Sequence, residues 1–577
     1  MVMNINVTSP TEQLAEIRDE WNRRTAEPSE DLLDRIDDGR ISDATAHVIF
    51  RAEPAERAAL VDSLVQRLPG RFHDSGAPRR QQILEFCVKL ALDLGSFLPA
   101  WRSAAVQPEA DLAGSVLSLC ERLSRADSAT AGELQQRQRS DFLARLHAEA
   151  VTDAAEAQRL ANEAFGSGLG DYVRGMWRYY ASSNMRRAAA MYLSGETTTA
   201  LGNDYAAFLD HALRVGVSSQ TTNPVLIKLA WDTDKPGWDS RIDAIIRGSY
   251  DLQQIRAALQ QSDDDRDAML RRINTLVTTA VVERNCRLLR DIFLMTDGRE
   301  GYLNLQVSPD NYADASAMVR QAVEVYQDLR TRLSGIPNVV IKVPATPAGR
   351  DAAAELTRLG IGVTVTLTFS LFQTCPVAEV IRNSNALVSN IAIMNGRLAF
   401  PVRDELKANG VTGGEEAARW AGVAVARKAF RRLYNPVSEG GMGIDRSRVR
   451  LLIASLRIYD DWLPDISELW GVPAITVFPN VRRALDAHPR QIDGNSVVNA
   501  TPAEAIRTML SSELFRQAWW TEEDGAETAP REPLSLADGN DEAVAAWKPV
   551  RQTLDQFIDG YSVMNSMILE RLTHLVR

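Results

Sequence analysis

The chain has 577 residues, 45% of them hydrophobic and 24% charged, a balance that supports large folded cores and excludes a mainly disordered protein. At roughly 150 residues per domain the length allows about three or four domains, or fewer if one is a large barrel. Lys+Arg 65 against Asp+Glu 76 leaves a net charge of -11, a diffuse acidity that argues against nucleic acid as the main partner and requires any phosphate site to be local.

The start, Met1 to Asn6, lacks the basic and apolar regions of a signal peptide, and no stretch approaches about 18 apolar residues without charge. A cytoplasmic chain that does not span a membrane is expected. The first 185 or so residues read as successive helices. Ser9-Pro10-Thr11-Glu12 is a capping box with proline at the first helical position, followed by Leu14, Ile17 and Trp21 at helical spacing. The pattern recurs over Pro54 to Leu68 and Gln81 to Leu94. Gly166-Ser-Gly-Leu-Gly170 lacks the GxGxxG spacing and comes after a helical run, so it is not read as a nucleotide loop. Trp177, Tyr179 and Tyr180 are expected to pack the junction between this region and the C-terminal part of the chain.

From about residue 188 short apolar runs alternate with long helical patterns, the signature of a parallel sheet with crossover helices. The expected strands are Ala189–Leu193, Val215–Gln220, Tyr302–Val307, Val339–Val343, Gly362–Leu367, Ala386–Ile393, Val449–Ile453 and Ala474–Val477. Eight strands point to an α/β protein, a (β/α)8 TIM barrel over 186–577 preceded by an all-α N-terminal domain over 1–185, with the active site at the C-terminal strand ends. After an acidic, Pro/Gly-rich loop from Thr521 to Asp541, closing helices are expected to pack back on the barrel.

Four cysteines (Cys87, Cys120, Cys286, Cys375) are too sparse for a disulfide framework or a CxxC metal site. The histidines, His47, His73, His147, His211, His488 and His574, form no pair at metal-ligand spacing. Neither a GxSxG elbow nor a GxxxxGK[ST] loop occurs. No metal and no cofactor is therefore expected.

The chemistry is sought where polar residues end apolar strands. Lys342 sits inside Val339-Val-Ile-Lys-Val-Pro, where burial lowers an ammonium's pKa and supplies a free amine able to attack a carbonyl. A lysine reaching out from an edge strand is the competing reading of that segment alone. Neighbouring strand ends carry Thr221-Thr222-Asn223-Pro224, Gln306 and Thr364-Val-Thr366. With Thr-Asp-Gly-Arg-Glu-Gly-Tyr at 296–302, Ile-Lys-Val-Pro-Ala-Thr-Pro-Ala-Gly at 341–349, Asn-Gly-Arg at 395–397 and Ala-Ser-Leu-Arg at 454–457, the chain over about 190–575 resembles the transaldolase family of class I, Schiff-base aldolases. The resemblance implies Lys342 as the Schiff-base lysine, Asn223 with Thr222 and Thr364 on substrate hydroxyls, and Thr366 helping to position a proton-shuttling water. It implies Arg397, Arg457 and Ser455 at the substrate phosphate.

The sequence departs from that family pattern in several places. Gln306 replaces a glutamate that works through the catalytic water; glutamine also occurs there in the fructose 6-phosphate aldolase branch, whose tyrosine near the water is matched here by Met394. Thr364 stands for an asparagine and Ala392 for a serine. The first-strand acid has no clear counterpart: Glu196 is expected by its spacing to Asn223, with Asp204 as the fallback. The expected function is transfer of a dihydroxyacetone unit between sugar phosphates in carbohydrate metabolism of pentose phosphate type. The alternatives are an aldolase of fructose 6-phosphate type or on an unusual sugar, and a non-catalytic sugar-phosphate-binding barrel. For residues 1–185, capping the mouth, homodimerisation and partner recruitment all stay open.

Overall fold

The computed structural model describes residues 8–28, 31–96, 110–260, 263–460, 462–487 and 492–577; His488 and the start at 1–6 lie outside them. Eight parallel strands close into a barrel in sequence order: β1 Ala200–Asn203, β2 Ser219–Gln220, β3 Leu303–Gln306, β4 Val339–Pro344, β5 Val363–Thr368, β6 Ser389–Met394, β7 Val449–Ala454 and β8 Ala474–Val477. β8 closes on β1 with Leu201 opposite Ile475. The strands are buried almost throughout; β4 and β8 accordingly read as apolar runs, whereas β3 (Leu-Asn-Leu-Gln) and β5 (Val-Thr-Val-Thr-Leu-Thr) alternate apolar residues with buried polar ones.

Two expected strands differ. Ala189–Leu193 belongs to a helix, Asn184–Ser194, capped by Ser183 and stopped by Gly195 in the left-handed region (φ 82°). Five apolar residues carry no period of their own, so cap and stop residues decide between helix and strand. β1 instead begins at Ala200, after Thr197-Thr-Thr, and β2 keeps only two paired residues. In the helix layer, Asp263–Met295 and Ala315–Leu333 are continuous, whereas Gly414–Ala418 and Ala421–Tyr434 are separate helices.

The N-terminal residues form helices as their caps require. Ser9 and Glu12 make the reciprocal capping box of Pro10–Thr25, and Gly166 (φ 46°) ends Ala154–Phe165, so 166–168 is a turn and Gly170 already lies in the next helix, Leu169–Ser182. These helices do not form a detached unit. One contiguous apolar cluster runs from Leu32 through Tyr180 and Leu209 to Phe557. Trp177 donates its indole N–H to Ala91 O at 3.0 Å, Tyr179 reaches Asp486, and Tyr180 bonds His211 at 3.0 Å, so this aromatic group joins the helical region to the barrel's flank.

The first helix closes the N-terminal end of the barrel. Ile17 is buried against Phe293, Val340 and Val388, and Gln13 donates to Asn385 O at 3.0 Å. The last helix, Lys548–Val576, crosses the opposite end, where Gly560 lets it approach Val225.

Candidate active site

The strand register builds the site. Gln306, Lys342 and Thr364 stand side by side on β3, β4 and β5. The residues around them explain why the motifs contain what they do. After Lys342, Thr346 caps the next helix by accepting the Gly349 N–H at 3.1 Å, Pro347 occupies its first turn, and a Cβ on Gly349 would collide with Pro344 O. Asn223 does the same for Pro224–Thr233, accepting the Leu226 N–H at 3.0 Å. In Asn-Gly-Arg, a Cβ on Gly396 would lie 2.5 Å from Ser455 O. Glycine there lets the ends of β6 and β7 meet, and with them Arg397 and Arg457.

A cavity of about 480 Å³ opens at the C-terminal strand ends, lined by Asp204, Asn223, Lys342, Thr366, Arg397, Ser455 and Arg457. Lys342 is 5% exposed, its Nζ donates to Thr222 O at 3.2 Å, and burial lowers its pKa to about 8, partly offset by the carboxylate of Asp204. Burial raises the pKa of Asp204, against which Lys342 and the Thr221 hydroxyl, donating at 2.6 Å, pull it down. Thr221 in turn shares a 2.7 Å hydrogen bond with Thr476 on β8. A weakly basic amine and a weakly acidic carboxyl thus face one cavity, an arrangement suited to nucleophilic attack and proton transfer.

At the rim, burial and the neighbouring Arg457 lower Arg397 to about 10, and the Arg397 Nε has no hydrogen-bond partner. The Arg457 guanidinium donates to Ser455 O at 3.0 Å and lies over the Phe400 ring, while its backbone N–H donates to Asp465 at 2.9 Å. Ser455 itself sits in the left-handed region (φ 58°). Two like charges held together without a paired carboxylate among the described residues make a receptor for an anion.

Gln306, Thr222 and Thr364 do not line this cavity. Gln306 lines a small adjoining space with Lys342, Thr366 and Phe557, and its Oε1 is buried without a partner. The Thr222 hydroxyl is spent on Asn304 O, and Thr364 lies deeper, between Asn304 and Asn390. A register shift interrupts β5 between Val365 and Thr368, with Leu367 at φ 57°, and the Thr366 hydroxyl points to the Met394 sulfur at 3.7 Å. Glu196 is the correction. It precedes β1, is exposed, and accepts from Ser194 at 2.7 Å at the barrel's N-terminal end. Shifting the first strand from Ala189–Leu193 to Ala200–Asn203 removes Glu196 from the strand's end and puts Asp204 there. Sequence reasoning missed Thr221 and Thr476 as partners of that acid, and Gln556 and Phe557 of the last helix as cavity walls. Thr221 was legible inside Thr-Thr-Asn-Pro; the helix residues carried no signal.

The family model for transaldolase/fructose-6-phosphate aldolase matches residues 206–528. The chain belongs to this family. A transaldolase of Mycolicibacterium paratuberculosis is 30% identical over 315 residues, 51% of this chain and 77% of that relative. Transaldolase 2 of Streptomyces avermitilis is 26% identical over 311 residues, 51% of this chain and 76% of the relative. The Thiobacillus denitrificans transaldolase is 34% identical over 158 residues, and the matched part spans only 37% of its length. These likenesses support a transaldolase-like function. The family match leaves out Asp204 and the last helix, so their place at the site comes from the fold alone.

Proposed function

We propose that the protein is a Schiff-base transferase that moves a dihydroxyacetone unit between sugar phosphates. The observation that carries the reading is the pairing of a buried, weakly basic Lys342 with Asp204 across one cavity. The Lys342 amine adds to the ketone of a phosphorylated ketose, and loss of water leaves an iminium. Asp204 takes the proton of the hydroxyl beyond the scissile bond, the bond's electron pair moves into the iminium to give an enamine, and an aldehyde departs. The enamine then attacks an acceptor aldehyde, Asp204 returns its proton, and water releases the product. Gln306 and Thr366 hold the water of the dehydration step; Arg397, Arg457 and Ser455 hold the phosphate. Borohydride trapping with fructose 6-phosphate, read by peptide mass spectrometry, should place the adduct on Lys342; unlabelled Lys342 across several ketose phosphates overturns the reading.

One observation favours a second reading. Gln306 cannot take a proton from water, so an enamine released by protonation, as in an aldolase, is the alternative outcome. Product analysis with and without an acceptor aldehyde separates the two. The four free thiols support the cytoplasm as the compartment. Light scattering tests whether residues 1–185 also make a homodimer.

A further inference from the structure

The last helix brings a residue to the anion site that no motif announces. Gln556 lies at the rim of the cavity, and its Oε1 accepts from Arg397 Nη1 at 2.6 Å, while the next residue, Phe557, is buried and reaches the space beside Lys342. Phe557 anchors the helix in register, so the rim position of Gln556 is fixed by packing. The bond holds the long Arg397 side chain toward the cavity, and the buried Arg397 Nε remains without a protein partner. A neutral amide is the chemistry this place requires: it orients the guanidinium without cancelling its charge, and its own N–H groups can donate to an oxyanion. A carboxylate here would occupy Arg397 and compete with the ligand.

We propose that Gln556 is a specificity-determining residue, the third member of the anion subsite, which selects phosphorylated over unphosphorylated sugars. The proposal rests on the reading of Arg397 and Arg457 as the phosphate site. The test is calorimetric titration of the full chain with inorganic phosphate, which needs no turnover, using Q556A, Q556E and R457A. Q556A should weaken phosphate about threefold, the low end for one hydrogen bond, and Q556E about tenfold or more, as for one bond to a charged group. The kcat/KM preference for fructose 6-phosphate over fructose should fall by the same factor in each variant, a change that a merely structural role would not produce. If R457A loses phosphate while Q556E binds it within twofold of the parent chain, Gln556 is excluded and the phosphate site stands. If R457A binds phosphate as the parent does, or the parent binds none, the phosphate reading falls and this proposal with it.

Discussion

The two ends of the barrel treat charge in opposite ways. At the N-terminal end buried ions are matched: Arg290, 1% exposed, donates to Glu20 at 2.9 Å and to Ile336 O at 2.6 Å, and Arg51 meets Asp291 at 3.0 Å. Glu300 accepts from Ser218 and Tyr192, each at 2.8 Å, and meets Arg450 at 3.2 Å. At the C-terminal end Lys342 has one backbone acceptor, and Arg397 and Arg457 have no ion-paired carboxylate among the described residues. Burying a charge costs free energy that a partner offsets. The matched end is therefore built for stability, and the unmatched end keeps its cost in exchange for a receptive site.

Lys342 breaks this contrast most sharply. Lys342→Met should abolish turnover by more than about a thousandfold, yet raise stability at neutral pH, because a buried ammonium disappears. The sign comes from the shift. With a pKa near 8 in the fold against an ordinary value about two units higher, the folded chain binds fewer protons between these values, so the parent gains stability as pH rises through that window. The variant should lack that gain, which thermal melts across pH 7 to about 11 measure. A variant less stable than the parent at neutral pH would contradict the unmatched-charge account.

At the opposite end the expected effect reverses. Glu20→Ala strands the Arg290 guanidinium and should cost about 3–5 kcal/mol in urea unfolding, with kcat near that of the parent. Equal loss of activity and stability would mean that the two ends are not separable. Between the ends, Asp204→Asn should lower kcat about 10²–10³-fold, whereas Glu196→Gln, exposed at the wrong end, should stay within about twofold. Steady-state kinetics of the pair decides which acid works.

The same physics governs which features the sequence displayed and which it hid. β4 and β8 were legible because a strand buried on both faces must be an apolar run, and a lysine inside such a run is conspicuous. β1 was not. Ala200-Leu-Gly-Asn is shorter and less apolar than the helical Ala189–Leu193, so its register was misplaced and the acid with it. Arg397 and Arg457 were recognisable by motif, but Gln556, the partner of Arg397, lies 159 residues from it on an amphipathic helix, where one rim glutamine looks like any exposed one. Contacts set by long-range packing leave no local trace.

The pH dependence sharpens the comparison with the smallest effect. Lys342 must be neutral to attack, so kcat/KM should rise about tenfold per pH unit below 8 and level off above it. Asp204, raised by burial, must be ionised to accept a proton, which adds loss on the acid side and none on the basic side. Asp204→Asn also removes the carboxylate that favours the charged amine, so its remaining activity should level off at a lower pH than the parent's. An unmoved limb in that variant would show that Asp204 and Lys342 do not sense each other, and the top of the barrel would then hold separate charges and not one coupled pair.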